Sequence, residues 1–342
     1  MNIESSPFYR FRQIKRGFFS FLLLLGFFIL SLFSEAIAGN RPLLLRYQGE
    51  FFIPIIHFYS GERFGQPQKT EADYRLLKHD SQFQSQGFAI FPLIPYSPFE
   101  ADLDEVGSPP HPPSFRHPLG TDGSGRDMFA RLLYGFRICM LFALILTIIT
   151  GFFGIALGGF QGYSGGGVDL TIQRFTEIWS ALPFLYVVIL LGSIFGQSFS
   201  MLILVLSLFS WVGLSYYMRA EFFRIRSMTY IQAARAIGVS NTGILFRHIL
   251  PNALTPAITI LPFTLISGIG ALTSLDFLGF GLPPPTPSWG ELLDQGLKNL
   301  QAPWIALSTV GALFATLLMA TFISEAVREA FDPKGKPKTI HR

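Results

Sequence analysis

The sequence contains little charge and a single cysteine, and each shortage excludes a class of protein. Asp, Glu, Lys and Arg make up 14% of its 342 residues, whereas about a quarter of the residues in soluble domains are charged. Cys139 has no partner for a disulfide within the chain and cannot build a cysteine metal site. The basic residues behind the formal net charge of +4 are spread along the chain, which argues against nucleic-acid binding.

Hydrophobic side chains are abundant instead, at 50% of the residues and with 37 Phe. A helix needs about 20 mostly apolar residues to cross a bilayer. Charge-free stretches that reach or approach this length lie at 17–34, 138–168, 178–218, 249–275 and 299–324. The third stretch holds 41 residues, enough for two crossings, and Gly196-Gln197-Ser198 supplies a polar break near its middle. We therefore predict an all-α polytopic membrane protein with six transmembrane helices.

Lys and Arg are concentrated on one side of the predicted spans, and cytoplasmic segments retain such residues. The amino-terminal segment 1–16 carries four of them and the loop 219–252 carries five arginines, whereas the loop 279–301 contains only Lys298. The tail 334–342 is also basic. This distribution predicts that both termini and the loop 219–252 are cytoplasmic.

The amino-terminal apolar run has two interpretations. A basic start followed by an apolar core and Ala36-Ile37-Ala38 resembles a secretory signal with its cleavage site. The run of 18 residues, however, exceeds the roughly 7 to 15 of a signal core, and Glu35 lies beside the site. We interpret residues 17–38 as an uncleaved first transmembrane helix.

Residues 39–116 are predicted to form a small extracytoplasmic α+β insertion between helices 1 and 2. Strand-like pieces lie at 43–47, 51–56 and 88–94, and a proline-rich connector at 92–118 leads back to the membrane. A helical piece at 125–134 is expected to lie on the membrane surface before the second span. Four histidines fit no metal-ligand spacing and are interpreted as scattered surface residues: His57, His79, His111 and His117.

The loop 219–252 is predicted to contain two short helices. Tyr230, Ala233, Ala234 and Ile237 share one helical face, and Gly238 is suited to the left-handed conformation that ends a helix. Ser240 or Asn241 can then cap a second helix that runs to about Leu250. Pro251 fits the first turn of the following transmembrane helix.

Three alanines in the first of these helices present a narrow surface that a partner's backbone can approach closely: Ala233, Ala234 and Ala236. Alanine also has the highest helix propensity of all residues, so the pattern alone does not separate docking from simple helix formation.

Several motifs resemble the permeases of ABC importers. Gln232-Ala233-Ala234, Gly238 and Leu250-Pro251 have the spacing of the EAA loop of that family. The dipeptide and oligopeptide branch is indicated by further matches, which are Arg247-His-Ile-Leu-Pro-Asn252, His117-Pro-Leu-Gly-Thr-Asp122, Gly125-Arg-Asp127, Phe277-Leu-Gly-Phe-Gly281, Pro287-Ser-Trp-Gly290, Pro303-Trp304 and Glu325-Ala-Val-Arg-Glu-Ala-Phe-Asp-Pro333. The enlarged segment 39–116 is similar to that of the permeases of Yej-type importers of oligopeptides and microcin C.

The resemblance implies a permease domain at 117–333, with helices 2–6 and the coupling loop 219–252, in a multi-pass protein of the bacterial inner membrane. It implies that the chain performs no catalysis and binds no cofactor, because no Walker A sequence is present and ATP is bound by a partner. The implied partners are an ABC ATPase, a second homologous permease, a periplasmic peptide-binding protein and membrane lipid. Such a permease forms half of a pathway that works by alternating access.

The resemblance also implies the site residues. Docking to the ATPase is expected through Gln232, Ala233, Ala234 and Gly238, with Leu250 and Pro251 completing the motif. Gln232 replaces the usual acidic residue, so a charge pair there becomes a neutral and weaker hydrogen bond.

Charged residues also lie at the ends of the last two predicted spans. Asp276 is either a contact for cationic substrate groups in the pathway or a hydrated carboxylate at the membrane rim. Glu325 and Arg328, spaced i, i+3, are expected to form a local ion pair.

Rival functions remain open at this point. An importer of nickel, dipeptides or glutathione shares nearly all the loop residues. A self-sufficient secondary transporter would need ion-coupling groups within the membrane and usually internal repeats. A membrane-anchored enzyme would need a recognisable pairing of nucleophile and base in residues 39–132. The sequence shows neither of these last two features in convincing form.

Overall fold

Long apolar helices dominate the chain. The computed structural model describes residues 6–102, 105 and 107–332, so the predicted tail 334–342 lies outside the described residues. In chain order, the helices are α1 (Pro7–Gln13), α2 (Lys15–Leu32), α3 (Ser34–Ile37), α4 (Tyr74–His79), α5 (Ser81–Gln86), α6 (Met128–Ser164), α7 (Gly166–Ser180), α8 (Phe184–Phe195), α9 (Phe199–Arg226), α10 (Thr229–Ala236), α11 (Asn241–Gly243), α12 (Leu250–Phe277), α13 (Trp289–Lys298) and α14 (Pro303–Phe331).

The predicted number of membrane spans agrees with these helices. Within the described part of the chain, five helices are long and apolar enough to cross a membrane, namely α2, α6, α9, α14 and the continuous helix Asn241–Phe277. A sixth span results if α7 and α8, which are bent by 73°, are counted as one. The prediction of an all-α polytopic membrane protein with about six transmembrane helices is confirmed.

The stretch 178–218 is predicted to hold two crossings, and the structure differs in where the first one begins, because α7 starts at Gly166. The break at Gly196-Gln197-Ser198 is present, because α8 ends at Phe195 and α9 begins at Phe199. A second break lies at 181–183, where Pro183 cannot donate a backbone hydrogen bond and disfavours helical geometry at Leu182. The span therefore consists of α7 and the 12-residue α8 at an angle.

Helices α6 and α9 pack backbone to backbone along a row of glycines. A Cβ atom on Gly158 would lie 2.3 Å from the Ser215 carbonyl oxygen, and one on Gly162 would lie 2.5 Å from the Arg219 carbonyl oxygen. Gly154 faces the side chain of Leu214 in the same way. Small residues at four-residue spacing allow such close approach between transmembrane helices. We call these three glycines the glycine seam.

The helical piece predicted to lie on the membrane surface at 125–134 is instead the start of α6. Asp127 caps this helix by accepting a hydrogen bond from the Ala130 N–H at 2.7 Å. Met128 and Leu132 are buried, and the Leu132 carbonyl accepts a 3.0 Å hydrogen bond from the indole N–H of Trp289. The prediction of an interfacial helix was wrong because these apolar side chains pack against α13 rather than lipid.

The external insertion contains a three-stranded antiparallel sheet of β1 (Leu44–Tyr47), β2 (Glu50–Phe52) and β3 (Phe88–Ile90), in the order β2-β1-β3. Leu45 pairs with Phe52 on one side and with Ala89 on the other. All three predicted strand regions contain a strand, although β2 and β3 are shorter than expected. A separate aromatic core, which includes Tyr47, Phe64 and Tyr74, lies beneath the sheet.

The amino-terminal helices are fixed to the end of α14. A Cβ atom on Gly17 would lie 2.1 Å from the Ala326 Cβ, so α2 and α14 are in close contact there. Arg16 forms a 3.4 Å ion pair with Glu325. The predicted ion pair between Glu325 and Arg328 was therefore wrong, because Glu325 is engaged by a residue from another helix.

The glycine seam predicts that one added methyl group destabilises the protein. Gly158→Ala places a Cβ against the Ser215 backbone, which must move, and overpacking of this kind costs about 1 to 3 kcal/mol. We expect a lower thermal unfolding midpoint for the purified protein in lipid nanodiscs. Gly213→Ala on α9 is the matched control, because a Cβ there meets no atom within 4 Å. Equal midpoints for the two variants would contradict the packing role of the seam.

Candidate functional site

The loop 219–252 contains the predicted first helix, and this helix ends before Gly238 as predicted. After α9 ends at Arg226, α10 runs from Thr229 to Ala236, and Gly238 follows with φ of +89°. This left-handed conformation is readily adopted by glycine but not by β-branched residues. Ser240 then caps the next helix, since its hydroxyl accepts a 3.2 Å hydrogen bond from the Gly243 N–H.

The second helix of the loop does not end near Leu250 as predicted. Residues Asn241–Phe277 form one continuous helix, in which α11 leads through a π-helical segment, Ile244–Ile249, into α12. Proline normally clashes with the carbonyl four residues earlier. In the π-helical turns directly before Pro251, backbone hydrogen bonds join residues five apart instead of four. This wider spacing accommodates Pro251, so the helix continues past it. The loop is therefore joined rigidly to a membrane-spanning helix.

The predicted docking residues differ in their accessibility. Gln232, Ala233, Gly238 and Pro251 are exposed, and Leu250 is half-buried. Ala234 is buried, so it packs against the chain's own core rather than presenting its side chain outward. The helical face predicted to combine Ala233 with Ala234 is thus divided between an outer and an inner side.

Exposed large apolar side chains on this loop were missed as candidate site residues. Ile237 is 81% exposed, Phe246 is 64% exposed and Tyr230 is 43% exposed. A signal was available in the sequence, because Ile237 directly precedes the helix-ending Gly238 and its neighbours on the same helical face, Ala233 and Ala234, are small. Exposed apolar groups on an ordered loop are typical of a protein–protein contact.

The loop is anchored to the membrane helices by apolar packing and by two hydrogen bonds. Ile231, Ile244 and Ile249 are fully buried in a cluster with side chains of α9 and α12. The Tyr163 hydroxyl donates to the Asn241 carbonyl at 3.0 Å, and the Tyr163 carbonyl accepts from Arg226 at 2.7 Å. The end of α6 therefore holds both flanks of α10.

An ion pair links the broken span to the same end of α9. Both carboxylate oxygens of Asp169 on α7 accept hydrogen bonds from the guanidinium of Arg219, at 2.6 and 2.7 Å. Such bidentate pairs fix orientation as well as distance. Gln232 donates a local hydrogen bond to the Ser227 carbonyl at 3.3 Å.

Asp276 lies in the interior rather than in a hydrated position at the membrane rim. It is 7% exposed, and its carboxylate accepts hydrogen bonds from the Leu282 N–H at 2.6 Å and from the Ser288 hydroxyl at 2.5 Å. A Cβ atom on Gly290 would lie 2.2 Å from the Thr273 carbonyl, so this segment can approach α12 only with glycine there. The hydrated alternative is wrong, and contact with substrate stays a prediction.

A buried polar network joins the external segment to the membrane helices. Arg126 donates to Asp122 at 2.7 Å and to Glu291 on α13 at 3.0 Å. The fully buried Arg131 also pairs with Glu291, and it donates to the Pro98 carbonyl at 3.1 Å. Sequence reasoning recorded the motifs around these residues but did not connect them, because the partners are far apart in the chain.

His117 lies at the centre of a second part of this network. Its two ring nitrogens contact Asp127 at 2.8 Å and Asp102 at 3.1 Å, and the side chain is fully buried. Burial on its own lowers the pKa of His117, but the hydrogen bonds and charges of Asp127 and Asp102 outweigh it and raise the pKa above its ordinary value.

The interpretation of the four histidines as surface residues holds only in part. His57 and His79 are exposed, but His111 is buried along with His117, so for these two the interpretation was wrong. Within the described ranges, no group of three or more His, Cys, Asp or Glu side chains is arranged to hold a metal ion.

The raised pKa of His117 predicts a dependence of stability on pH. The protonated ring is stabilised by two carboxylates, so its contribution is complete below about pH 6.5 and is lost as the pH rises through the raised pKa. We expect the thermal unfolding midpoint to fall over this range. The fall should be smaller in His117→Gln, whereas the exposed control His79→Gln should behave like the unmodified protein. A similar pH dependence in His117→Gln would show that another group is responsible.

Comparison with known proteins identifies the family. Residues 151–336 match the family described as binding-protein-dependent transport system inner membrane component. The chain is 44% identical over 331 residues to the inner membrane ABC transporter permease protein YejE of Escherichia coli K12, covering 97% of each chain. It is 42% identical to the peptidoglycan transport system permease protein YejE of Agrobacterium fabrum, covering 95% of this chain and 91% of the relative.

A more distant relative is named for the transport of oligopeptides. The oligopeptide transport system permease protein OppC of Escherichia coli K12 is 35% identical over 221 residues, which cover 64% of this chain and 73% of OppC. The family match spans more than half of the chain, and the relatives extend it over nearly the full length. The chain therefore belongs to the binding-protein-dependent transport system inner membrane components, the permease subunits of ABC importers.

Proposed function

We propose that this permease forms half of the transmembrane pathway for peptides or peptide-like compounds such as microcin C, and that it couples to a separate ATPase by alternating access. The proposal of coupling rests on the ordered loop 227–252. This loop is anchored to α6, α9 and α12, and its Ile237 side chain is exposed. The peptide substrate class is supported by the relatives named for oligopeptide and peptidoglycan transport.

The proposed ATPase contact combines exposed apolar groups with an accessible backbone. Ile237 and Tyr230 offer apolar area that a groove on the partner can bury. Gln232, Ala233 and Gly238 lie on the same short segment and are exposed. Ala234 is buried, as is Ile231. We propose that Ala234 does not contact the ATPase itself and instead helps to fix the position of α10. Leu250 and Pro251 set the position at which the loop joins α12.

A second homologous permease is proposed as the partner within the membrane. Several side chains of α8 are largely exposed in the single chain, including Tyr186 at 74% and Phe195 at 73%. These groups require either lipid or a second subunit around them. The proposed orientation places both termini and the docking loop in the cytoplasm, as the distribution of Lys and Arg predicts.

The principal test of this function is copurification and peptide-dependent ATP hydrolysis. With the ATPase, the second permease and the binding protein coexpressed, the complex should hydrolyse ATP faster when trialanine is added. Ile237→Ser should reduce the affinity for the ATPase at least about tenfold, because one buried apolar side chain contributes about 1.5 to 3 kcal/mol. Leu300→Ser is the matched control, since Leu300 is 79% exposed at the far end of the helices.

The same experiment separates the alternatives. Equal retention of the ATPase by the Ile237 and Leu300 variants would contradict the proposed docking surface. Stimulation by nickel ions or glutathione in place of peptides would support an importer of those substrates. ATP-independent uptake of substrate would support a secondary transporter.

A second prediction concerns the backbone at Gly238. Gly238→Val introduces a β-branched residue at φ of +89°, although a Cβ atom there meets no neighbour within 4 Å. The strain should displace α10, so that ATP hydrolysis continues while peptide uptake falls. Gly238→Asn should retain most uptake, because asparagine tolerates the left-handed region. Normal uptake by the valine variant would refute this assignment.

A further inference from the structure

A cavity of about 260 Å³ lies among α2, α6, α12 and α14, and the proposed coupling does not use it. The side chains that line it are all apolar, and each of these helices belongs to a segment long and apolar enough to cross a membrane. Pro262 and Ala320 contribute short side chains to the wall, which leaves space between the helices. Phe21 and Leu25 on the same wall are each 39% exposed, so the cavity opens to the outside of the helix bundle. We call it the apolar cleft.

The lining of the apolar cleft restricts the chemistry of its occupant. No side chain on the wall can form a hydrogen bond, so a polar group placed there would lose its hydration without compensation. Cavities of about 150 Å³ already hold a benzene-sized molecule, and this larger cleft can hold a section of a flexible hydrocarbon chain. The surrounding membrane supplies such chains. The cleft therefore fits part of a lipid acyl chain.

The depth of the apolar cleft along α2 matches the position of an acyl chain. Its wall on this helix extends from Phe21 to Phe28. At a rise of 1.5 Å per residue, these positions lie about 9 to 20 Å along the axis from Lys15, the first residue of α2. One leaflet of a bilayer contributes about 15 Å of hydrocarbon. A lipid with its headgroup near Lys15 would thus place the far half of an acyl chain in the cleft.

The short helix α1 folds back beside the entrance of the cleft. The Phe11 ring packs edge to face on Phe18 and on Phe21, with ring centroids 6.4 and 6.0 Å apart. Phe21 is part of the cleft wall. Phe8 is 72% exposed and Tyr9 is 37% exposed on the same helix. Exposed aromatic side chains next to a membrane-spanning helix are typical of a segment at the headgroup boundary.

Two basic side chains accompany this contact. Arg12 is exposed, and its guanidinium carbon lies 6.0 Å from the centroid of the Phe18 ring, one helical turn before the cleft wall begins at Phe21. Lys15 is exposed at the start of α2. Within the described ranges, neither cation has an ion-pair partner. Basic side chains at this boundary attract the phosphate groups of anionic lipids.

We propose that the apolar cleft holds one acyl chain of an anionic phospholipid, with the lipid phosphate bound by Arg12 and Lys15. The apolar wall and the two cations adjoin each other at the packed rings of Phe11 and Phe21. A lipid bound in this way connects α1 and α2 to α6, α12 and α14. The site is independent of the substrate that the permease transports.

The headgroup is tested by native mass spectrometry of the full-length permease in detergent, titrated with dioleoyl phosphatidylglycerol or dioleoyl phosphatidylcholine. The two lipids have the same acyl chains, so a difference in affinity reports the headgroup. Phosphatidylglycerol should bind at least about fivefold more tightly. Arg12→Gln and Lys15→Gln should each weaken its binding about fivefold. Arg247→Gln is the matched control, because Arg247 is exposed and lies outside the cleft.

The acyl-chain contact is tested by filling the apolar cleft. Leu25→Trp places a larger ring on the cleft wall and should weaken the binding of both lipids about tenfold. Leu22→Trp is the matched control on the same helix, because Leu22 is 46% exposed and does not line the cleft. Circular dichroism verifies that each variant keeps its helical content.

Several results would overturn the inference. Equal affinities for the two lipids, or unchanged phosphatidylglycerol binding by Arg12→Gln and Lys15→Gln, would contradict the headgroup contact. Equal lipid binding by Leu25→Trp and Leu22→Trp would contradict the acyl-chain contact. Displacement of the lipid by an equal concentration of inorganic phosphate would show that no lipid is required. Loss of the bound phosphatidylglycerol in the complex with the second permease would show that protein covers the cleft.

Discussion

The contact between the backbones of α6 and α9 places constraints on much of the remaining structure. Lipid offers no hydrophobic driving force between helices, so close packing and hydrogen bonding must hold them together. The glycine seam brings the carbonyls of Ser215 and Arg219 within reach of α6, where no larger residue fits. Tyr163, one residue beyond Gly162, then meets both Arg226 and Asn241. The spacing of three glycines thus determines where the loop 227–252 leaves the membrane helices.

The external face is held together by a different interaction, because its partners are charged and buried. A buried ion pair is stable only if its remaining donors and acceptors are satisfied. Glu291 receives both Arg126 and Arg131, while Arg131 also donates to the Pro98 carbonyl of the connector. Asp122 completes the set from the loop before α6. The insertion, the second span and α13 consequently form one connected layer.

Local pattern was sufficient to predict the number of membrane spans, the strand regions and the first short helix of the loop 219–252. Hydropathy located the spans, and Gly238 and Ser240 marked the helix boundaries. Contacts between distant residues were not predictable in this way. The pairing of Arg16 with Glu325, the burial of His117 and the inward side of Ala234 depend on which helices become neighbours. Pro183 is a local signal for the bend between α7 and α8, but hydropathy alone locates a span without showing that it is bent.

The continuity of Asn241–Phe277 has a mechanical consequence for the proposed coupling. The helix continues from the capped start of α11 into α12, although Pro256 and Pro262 lie inside it, so under the proposed coupling a displacement at Ser240 is passed along one helix. At the other end of this helix, Asp276 accepts hydrogen bonds from Leu282 and Ser288, and Gly290 packs directly on the Thr273 carbonyl. If the loop 227–252 docks to the ATPase as proposed, a force applied there reaches the segment 282–290 through one helix and two side-chain hydrogen bonds. The loop 227–252 and the segment 282–290 lie at opposite ends of this helix. Coupling between them then needs no series of side-chain contacts that crosses the membrane from helix to helix.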